Sequence, residues 1–283
     1  MSERRRVLVT GGSQGIGLAI ADAFAAGGCD VAICGRTEDV LRDAAAGLRT
    51  RHAGVRVHAR AADVADEASV DALIEDVVAE LGGLDVLVAN AGVYGPKGAI
   101  EDVDWAAWVD AIRINLLGVV YSARRALPAL RRSARGKIVI LSGGGATKPL
   151  PFLSAYAASK AGVVRFGETL AEELRPAGID VNMVAPGALN TRLLDEVLAA
   201  GPQVVGEAFY ASSVRQREQG GTPLEVGAAL CAFLGSRESD GITGKLISAP
   251  WDPWQRFAAE RERLEGDVYT LRRIVPEERG WSW

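Results

Sequence analysis

The sequence is poor in the residue types that build metal centres and disulfide frameworks. It has two histidines and three cysteines among 283 residues. His52 and His58 lack metal-ligand spacing, so we predict no metal site and little role for histidine in acid–base catalysis. Cys29, Cys34 and Cys231 are scattered, which argues against a disulfide framework and fits a reducing cytoplasm.

Long apolar runs and an excess of positive charge are also missing. No run approaches the ~18 apolar residues of a membrane span, and the N-terminus shows no apolar core of a signal peptide. The net charge is −4 and the pI about 5.4. These values give no electrostatic reason to expect nucleic acid or an anionic membrane as a partner. We therefore expect a cytoplasmic protein that acts on a small molecule.

Apolar runs alternate with amphipathic stretches along most of the chain. The predicted strands are Arg6–Thr10, Val31–Cys34, Arg56–Ala59, Val86–Ala89, Lys137–Leu141, Asp180–Val184 and Leu246–Ser248. The predicted helices are 16–26, 38–50, 67–81, 104–132, 155–176 and 223–235. This order predicts an α/β fold, a doubly wound parallel sheet of about seven strands with helices on both faces.

Two segments depart from the alternation. A single domain is predicted over 1–250, in which residues 189–221 interrupt the last crossover as a substrate lid. Residues 251–283 continue beyond the last strand and hold four of the six tryptophans. So much apolar surface predicts that this tail packs on the body or on a neighbouring subunit.

A glycine-rich turn joins the first predicted strand to the first predicted helix. Its glycines are spaced Gly11-x-x-x-Gly15-x-Gly17. Backbone N–H groups in such a turn, with the helix N-terminus, bind a pyrophosphate, and glycine permits the close approach. A glycine-rich turn alone is weak support, but its place between a strand and a helix predicts dinucleotide binding. The expected contacts are Gly11, Ser13, Gln14, Gly15, Ile16 and Gly17.

The residues after the second strand bear on the choice between NAD and NADP. An acidic residue there would hold the ribose hydroxyls of NAD, whereas this chain has Gly35 and Arg36. A guanidinium matches the geometry of a 2′-phosphate, so Arg36 favours NADP. In the alternative, Arg36 only stacks on the adenine, and the neutral Gln14 adds no second positive charge.

Far downstream, Tyr156 precedes Lys160 by four residues in a predicted helix. This spacing places both side chains on the same helix face. Combined with the glycine-rich turn, the pair predicts hydride transfer with Tyr156 as the proton donor or acceptor.

With these residues, the chain resembles the short-chain dehydrogenase/reductase family, which has a Rossmann-type fold, over about 250 residues. Four further segments are similar to its motifs for the adenine contact, the end of the fourth strand, a helix asparagine and the nicotinamide clasp. They are, in that order, Asp63-Val64, Asn90-Ala91-Gly92, Asn115, and Pro186-Gly187 with Thr191.

The resemblance implies roles for the catalytic residues. Tyr156 exchanges a proton with the substrate oxygen while hydride passes to or from the nicotinamide. Lys160 favours the phenolate and grips the nicotinamide ribose, so both residues also count as cofactor contacts. Asn115 holds a water in a proton relay to Lys160. Pairing through the 104–132 and 155–176 helices implies a homo-oligomer, a tetramer or a dimer.

One residue of the family pattern is absent. The family places a serine thirteen residues before the tyrosine, and this chain has Gly143 there, next to Ser142. Adjacent strand residues point to opposite faces, so Ser142 reaches the site only if the following glycines form a bulge or turn. Ser142 is kept as a catalytic candidate, and Thr147, Ser154 or a water could take its place. Losing one oxyanion donor costs ~10²–10³ in rate.

The predicted function is hydride transfer between NAD(P)(H) and a small polar alcohol or ketone, with a sugar, polyol or secondary metabolite considered first. Two different functions also fit the sequence. One is the redox step of an epimerase or dehydratase cycle. The second is a cofactor-binding protein without turnover, which the glycine at position 143 would favour.

Overall fold

Seven parallel strands form one sheet at the centre of this computed structural model, which describes residues 4–281. The strands are β1 Arg6–Thr10, β2 Asp30–Gly35, β3 Val57–Ala61, β4 Val86–Ala89, β5 Lys137–Leu141, β6 Asp180–Ala185 and β7 Leu246–Ser248. Their order in the sheet is β3-β2-β1-β4-β5-β6-β7, and every neighbouring pair is parallel. The predicted fold class is confirmed. Trp283 of the tail lies outside the described residues.

Helices cover both faces of this sheet. They are α1 Gly15–Ala26, α2 Glu38–Arg51, α3 Glu67–Leu81, α4 Trp105–Ile112, α5 Gly118–Leu130, α6 Ser154–Leu174, α7 Arg192–Ala200, α8 Pro202–Val205, α9 Glu207–Gln219 and α10 Leu224–Gly235. No helix within residues 4–281 combines the length and apolarity needed to cross a bilayer.

The core has two halves because successive strand residues point to opposite faces of the sheet. On β1, Val7 and Val9 pack with Ile20 of α1 in one half, and Leu8 packs with Val70 of α3 in the other. Each of these side chains is fully buried. Burying an aliphatic side chain of this size contributes about 1.5–3 kcal/mol. The near-continuous apolar strands are thus explained by burial on both faces.

The predicted helix over 104–132 is interrupted in the structure. A π-helical turn, Arg113–Leu117, separates α4 from α5 and buries Asn115 completely. A π-helical turn contains one residue more than an α-helical turn, and it does not interrupt the apolar pattern. The sequence therefore predicts one continuous helix over 104–132. Such turns are frequent at functional sites.

The segment 189–221 forms three short helices, α7 to α9. Glycines with positive φ separate them, at Gly201 (78°) and Gly206 (82°). These glycines allow the chain to reverse direction where other residues would be strained. The segment is therefore helical and begins beyond the carboxyl end of β6. We call residues 189–221 the lid, although their role over a substrate stays a prediction.

The described part of the tail runs along the outer edge of β7. The backbone N–H of Leu246 donates to the Tyr269 carbonyl at 2.8 Å. The buried Lys245 ammonium donates to the carbonyls of Gly266 (2.9 Å) and Val268 (3.0 Å). These bonds cover the open edge of the sheet, a surface that otherwise pairs with other chains.

Candidate active site

A cavity of about 1070 Å³ opens at the carboxyl ends of the central strands. It lies where the strand order reverses between β1 and β4, the place at which open α/β sheets bind ligands. Its volume exceeds the ~300–1000 Å³ of common ligand pockets, so it has room for a dinucleotide and a substrate together. Every predicted cofactor contact lines it: Gly11, Ser13, Gln14, Gly15, Ile16, Gly17, Arg36, Asp63, Val64, Asn90, Ala91, Gly92, Tyr156, Lys160, Pro186, Gly187 and Thr191.

The glycine-rich turn has no space for side chains. Gly11 and Gly15 have φ angles of 64° and 55°. A Cβ atom on Gly17 would lie 2.1 Å from the Gly11 carbonyl oxygen. Helix α1 begins at Gly15 without a side-chain cap on its backbone N–H groups. This bare, uncapped turn fits a pyrophosphate, because the N–H groups and the positive helix end attract anions.

Asn90 holds the turn in shape from the neighbouring strand. Its Nδ2 donates to the carbonyls of Thr10 (2.8 Å) and Gly11 (3.1 Å). The Thr10 hydroxyl oxygen in turn accepts from the backbone N–H groups of Asn90 and Ala91. Both hydrogens of the Asn90 amide are therefore used by the turn, and this residue shapes the site.

Arg36 is exposed at the cavity, directly after β2. Within residues 4–281 its guanidinium has no hydrogen bond or ion pair, which leaves it available to an anion. Thr37, which the sequence interpretation missed, lies beside it before the uncapped start of α2. One carboxylate oxygen of Asp63 accepts a hydrogen bond from the Ala65 backbone N–H at 2.9 Å.

The segment after β6 passes over the glycine-rich turn. Gly187 has a φ of 98°, and a Cβ there would lie 2.5 Å from the Thr222 hydroxyl. Thr191 immediately precedes α7. Its methyl group is 3.6 Å from the Cβ position of Gly15. The lid thus begins where a pyrophosphate on the turn would be covered.

Tyr156 and Lys160 lie one turn apart on α6 and both face the cavity. The Lys160 ammonium lies 5.8 Å from the centre of the Tyr156 ring and donates to the Leu141 carbonyl at 2.7 Å. Burial lowers the pKa of Lys160 to about 8. Burial raises the pKa of the Tyr156 phenol, and Tyr94 adds to this effect. The phenol is therefore held in its neutral form in this structure, whereas the resemblance implies that Lys160 favours the phenolate.

Asn115 lies behind the cavity wall. Its Oδ1 accepts from the Val93 backbone N–H and its Nδ2 donates to the Val93 carbonyl, both at 2.8 Å. Nδ2 also donates to the Ser159 hydroxyl at 3.0 Å. The side chain therefore fixes the loop after β4 to α6, next to Tyr156 and Lys160.

Ser142 lines the cavity, but its hydroxyl is buried. Its Oγ is closed off from solvent and has no hydrogen-bond partner within residues 4–281. Gly143 faces Tyr156 instead, and a Cβ on it would lie 2.2 Å from the Tyr156 hydroxyl oxygen. The Ser154 hydroxyl accepts a hydrogen bond from the Trp108 indole at 3.0 Å, whereas Thr147 is exposed at the cavity.

A second tyrosine, Tyr94, contacts the first. The two rings meet edge to face, with centres 4.7 Å apart. The sequence analysis did not single out Tyr94. A signal was present, because Tyr94 follows the Asn90-Ala91-Gly92 motif at the carboxyl end of β4, where ligands bind.

An ion pair joins the loop after β4 to the lid. Lys97 lies 3.1 Å from Glu196 of α7 and 5.8 Å from the centre of the Tyr94 ring. The lid is also tied internally by the pair Arg217–Asp195. The substrate end of the cavity is thus bounded by aromatic rings and by paired charges.

Known proteins are similar to this chain in sequence and in fold. A family model described as short chain dehydrogenase matches residues 5–200. The chain is 37% identical to cis-4-hydroxycyclohexanecarboxylate dehydrogenase of Sinomonas cyclohexanicum, over 86% of this chain and 94% of that protein.

Two solved structures are similar in fold as well. NAD⁺-bound xylitol dehydrogenase has a TM-score of 0.77 and 27% identity, over 86% of this chain and 96% of that one. An NADPH-bound short chain oxidoreductase of Pseudomonas aeruginosa PAO1, described as containing an atypical catalytic center, has a TM-score of 0.76 and 30% identity, over 89% and 99%.

Proposed function

The chain belongs to the short-chain dehydrogenase/reductase family, and we propose that it transfers hydride between NADP(H) and a small polar alcohol or ketone, with Tyr156 as acid and base. It is an NAD(P)-dependent oxidoreductase. The finer proposal is carried by one observation. The Tyr156 hydroxyl, which has no hydrogen bond in the described part of the chain, and the Lys160 ammonium face the same cavity as the glycine-rich turn.

Tyr156 is suited to hold the proton that the substrate oxygen needs. A bound nicotinamide supplies or accepts hydride at the substrate carbon. Because burial raises the pKa of Tyr156, the phenol is protonated near neutral pH and can donate in the reducing direction. In the oxidising direction the same oxygen must become a base, which needs positive charge nearby.

Lys160 is the cation placed for that task. It lies one helical turn from Tyr156, and the Leu141 carbonyl fixes its ammonium. With a pKa of about 8, it remains mostly charged at neutral pH and can exchange its proton in mildly alkaline solution. Asn115 supports the pair by positioning the loop after β4, and we keep its proposed part in a water relay.

The preference for NADP rests on Arg36. Its guanidinium is exposed and unpaired within residues 4–281, at the end of the cavity where the adenosine ribose would lie. A guanidinium binds phosphate in a bidentate manner. Ser13 and Thr37 also line this end and add hydroxyl groups. The P. aeruginosa relative holds NADPH, and the xylitol dehydrogenase holds NAD⁺.

A small polar hydroxy compound fits the substrate end. Relatives act on a hydroxycyclohexanecarboxylate and on xylitol, by their names. In this chain Lys148 is exposed at the cavity without an ion pair in the described part of the structure. A cation there favours a substrate with a carboxylate or several hydroxyls.

We expect the enzyme to be cytoplasmic and homo-oligomeric, as a tetramer or dimer.

Gly143 favours a second candidate function, a cofactor-binding protein that no longer turns over. Without the family serine, one donor to the substrate oxygen is missing at that position. The retained contacts of Asn115, Tyr156 and Lys160 oppose this function, because a binding module gains nothing from them.

Turnover measurements with a matched variant separate these functions. The purified chain is assayed with NADPH and NADH against 4-oxocyclohexanecarboxylate and xylulose, the ketones that correspond to the alcohols named for the relatives. We expect turnover that Tyr156→Phe abolishes while the Kd for NADPH stays within twofold, because the ring is retained. Tight NADPH binding without turnover would support the binding protein instead. Retention of more than a tenth of the wild-type kcat in Tyr156→Phe would refute the mechanism.

A further inference from the structure

We propose that Tyr94 supplies the hydrogen bond to the substrate oxygen that no residue at position 143 can supply. This inference rests on the proposed function and adds a further catalytic residue to it. Four observations lead to it: the closed position at Gly143, the free hydroxyl of Tyr94, its contact with Tyr156, and the rigidity of its backbone.

Position 143 itself is closed to a side chain. Its backbone is extended, with a φ of −176°, so a serine could adopt this conformation without strain. The obstacle is space, because a Cβ there would lie 2.2 Å from the Tyr156 hydroxyl and 3.1 Å from the carbon that bears it. The Tyr156 phenol thus occupies the place of a side chain at position 143, and the second donor must come from elsewhere.

Tyr94 has the required free donor. Its hydroxyl makes no hydrogen bond or ion pair with any residue from 4 to 281, and the residue lines the cavity. Burial raises the pKa of the Tyr94 phenol, and Glu196 adds to this, so the group keeps its proton across the working pH range. The Ser142 hydroxyl, by comparison, is sealed from solvent.

The ring of Tyr94 lies against that of Tyr156. The centres are 4.7 Å apart at an interplanar angle of 74°. Edge-to-face pairs at this separation are attractive and oriented. The two side chains are therefore neighbours in the cavity wall. In the proposal, a carbonyl oxygen at the Tyr156 hydroxyl also accepts a hydrogen bond from the Tyr94 hydroxyl.

Tyr94 is flanked by residues that cannot move freely. Both backbone groups of Val93 are bonded to the Asn115 amide, at 2.8 Å each. A Cβ on Gly95 would lie 2.6 Å from the Ala111 methyl group, so this glycine packs directly on α4. A donor on such a fixed segment is preorganised, which is what electrostatic stabilisation of a developing charge requires.

The step balances without a further reagent. In reduction the carbonyl carbon receives hydride, with its electron pair, from reduced nicotinamide, and the C=O π bond breaks. The oxygen takes the proton of the Tyr156 hydroxyl, which leaves a C–H bond, an O–H bond and a phenolate. Tyr94 donates a hydrogen bond to that oxygen throughout and keeps its own proton.

Tyr94→Phe tests the role, because it removes the hydroxyl and retains the ring contact. We expect kcat to fall about 100-fold, the usual loss for one oxyanion donor, with the Kd for NADPH unchanged. Tyr121→Phe, on α5 away from the cavity, is the matched control and should keep wild-type kcat. Thr147→Val removes another hydroxyl at the cavity that has no hydrogen bond within residues 4–281. A kcat within threefold of wild type in Tyr94→Phe would overturn the inference. This holds even if Thr147→Val is also active, because Thr147 is only the rival donor.

Infrared difference spectroscopy provides a readout that does not need turnover. The probe is 4-oxocyclohexanecarboxylate with a ¹³C carbonyl, added to the full chain saturated with NADP⁺. We expect the carbonyl stretch to move to lower wavenumber in the wild type and to move back in Tyr94→Phe. Identical bands in the two proteins would overturn the inference. A band shifted by Tyr94 in a protein that never turns over would support the donor and refute the proposed function.

Discussion

Gly143 and Tyr156 compete for one space, since a Cβ on the glycine would lie 2.2 Å from the phenol oxygen. The glycine therefore does two things: it lacks the serine hydroxyl, and it leaves space for the Tyr156 phenol. The Tyr156 phenol lies in the volume that a side chain at 143 would fill, and its ring contacts that of Tyr94. Gly143 and the position of the catalytic tyrosine are parts of one arrangement.

This arrangement predicts that Gly143→Ser impairs the enzyme. The new side chain must push the phenol aside, and a displacement of about 1 Å from the productive geometry can cost ~10² in rate. We expect kcat to fall at least tenfold, with NADPH affinity within twofold of wild type. Steady-state kinetics and fluorescence titration measure the two quantities.

Gly144→Ser is the control for that substitution. A Cβ on Gly144 meets nothing within 4 Å, although this residue also lines the cavity. It should keep kcat within threefold of wild type. A Gly143→Ser protein that is faster than wild type would show that the serine is tolerated, and the steric account would be wrong.

Arg36 predicts the cofactor preference. Arg36→Asp should raise the Kd for NADPH about 10- to 100-fold, because a hydrogen bond to a charged group is worth ~1.5–3 kcal/mol, and should leave the Kd for NADH equal or lower. Arg131→Asp, which makes the same charge change on an exposed residue away from the cavity, should alter neither constant. If the wild type binds NADH more tightly than NADPH, Arg36 does not select the phosphate.

The fold could be predicted from the sequence because its determinants are local. Apolar strands such as Val7–Val9 and the Gly11-Gly15-Gly17 turn are each encoded within a few residues, and parallel order follows from the alternation. The pairing of Tyr156 with Lys160 is equally local. Each of these features needs only helix or strand geometry to be placed.

The part of the site that could not be predicted depends on contacts between distant segments. Tyr94 meets Tyr156 because Asn115 ties the loop after β4 to α6, a contact that no spacing encodes. Similarly, the π-helical turn at Asn115 leaves the apolar periodicity of 104–132 intact. Whether the Ser142 hydroxyl faces the cavity depends on the local path of the glycines, which permit several conformations.

The depressed pKa of Lys160 predicts a pH-dependent contribution to stability. Its folded value of about 8 lies below the ordinary 10.5. Between these values the unfolded chain binds more protons, so stability from this residue rises with pH. Below pH 8 the buried ammonium lowers the free energy of unfolding by a constant amount. Above pH 10.5 Lys160 is neutral in both states, and this destabilisation is absent.

Denaturant unfolding of the cofactor-free protein at pH 7 and pH 10 measures this effect. Relative to Lys160→Met, the wild type should gain about 2–3 kcal/mol in free energy of unfolding between the two pH values. The comparison cancels groups that titrate in both proteins. Equal changes in the two proteins would mean that Lys160 does not titrate in this range.

The tail predicts a stability and assembly effect on truncation. Removal of the residues after Pro250 takes away the carbonyl partners of the buried Lys245 and the backbone bond from Leu271 to the Glu168 carboxylate, which is 2.6 Å long. It also uncovers the edge of β7 and removes Trp251, which lines the cavity mouth. We expect a melting temperature lower by several degrees, since each kcal/mol lost costs about 2–4 °C in a domain of this size.

Two point variants separate these contributions in the full chain. Lys245→Met removes the ammonium that binds two tail carbonyls and should lower the melting temperature, whereas Arg279→Ala, at an exposed tail position, should not. In the truncated chain, KM should rise through loss of Trp251, and mass in solution should change because an uncovered strand edge pairs with other chains. Thermal melts, light scattering and steady-state kinetics read these effects. An unchanged melting temperature, mass and KM after truncation would show that the bonds along β7 contribute nothing to stability, assembly or substrate binding.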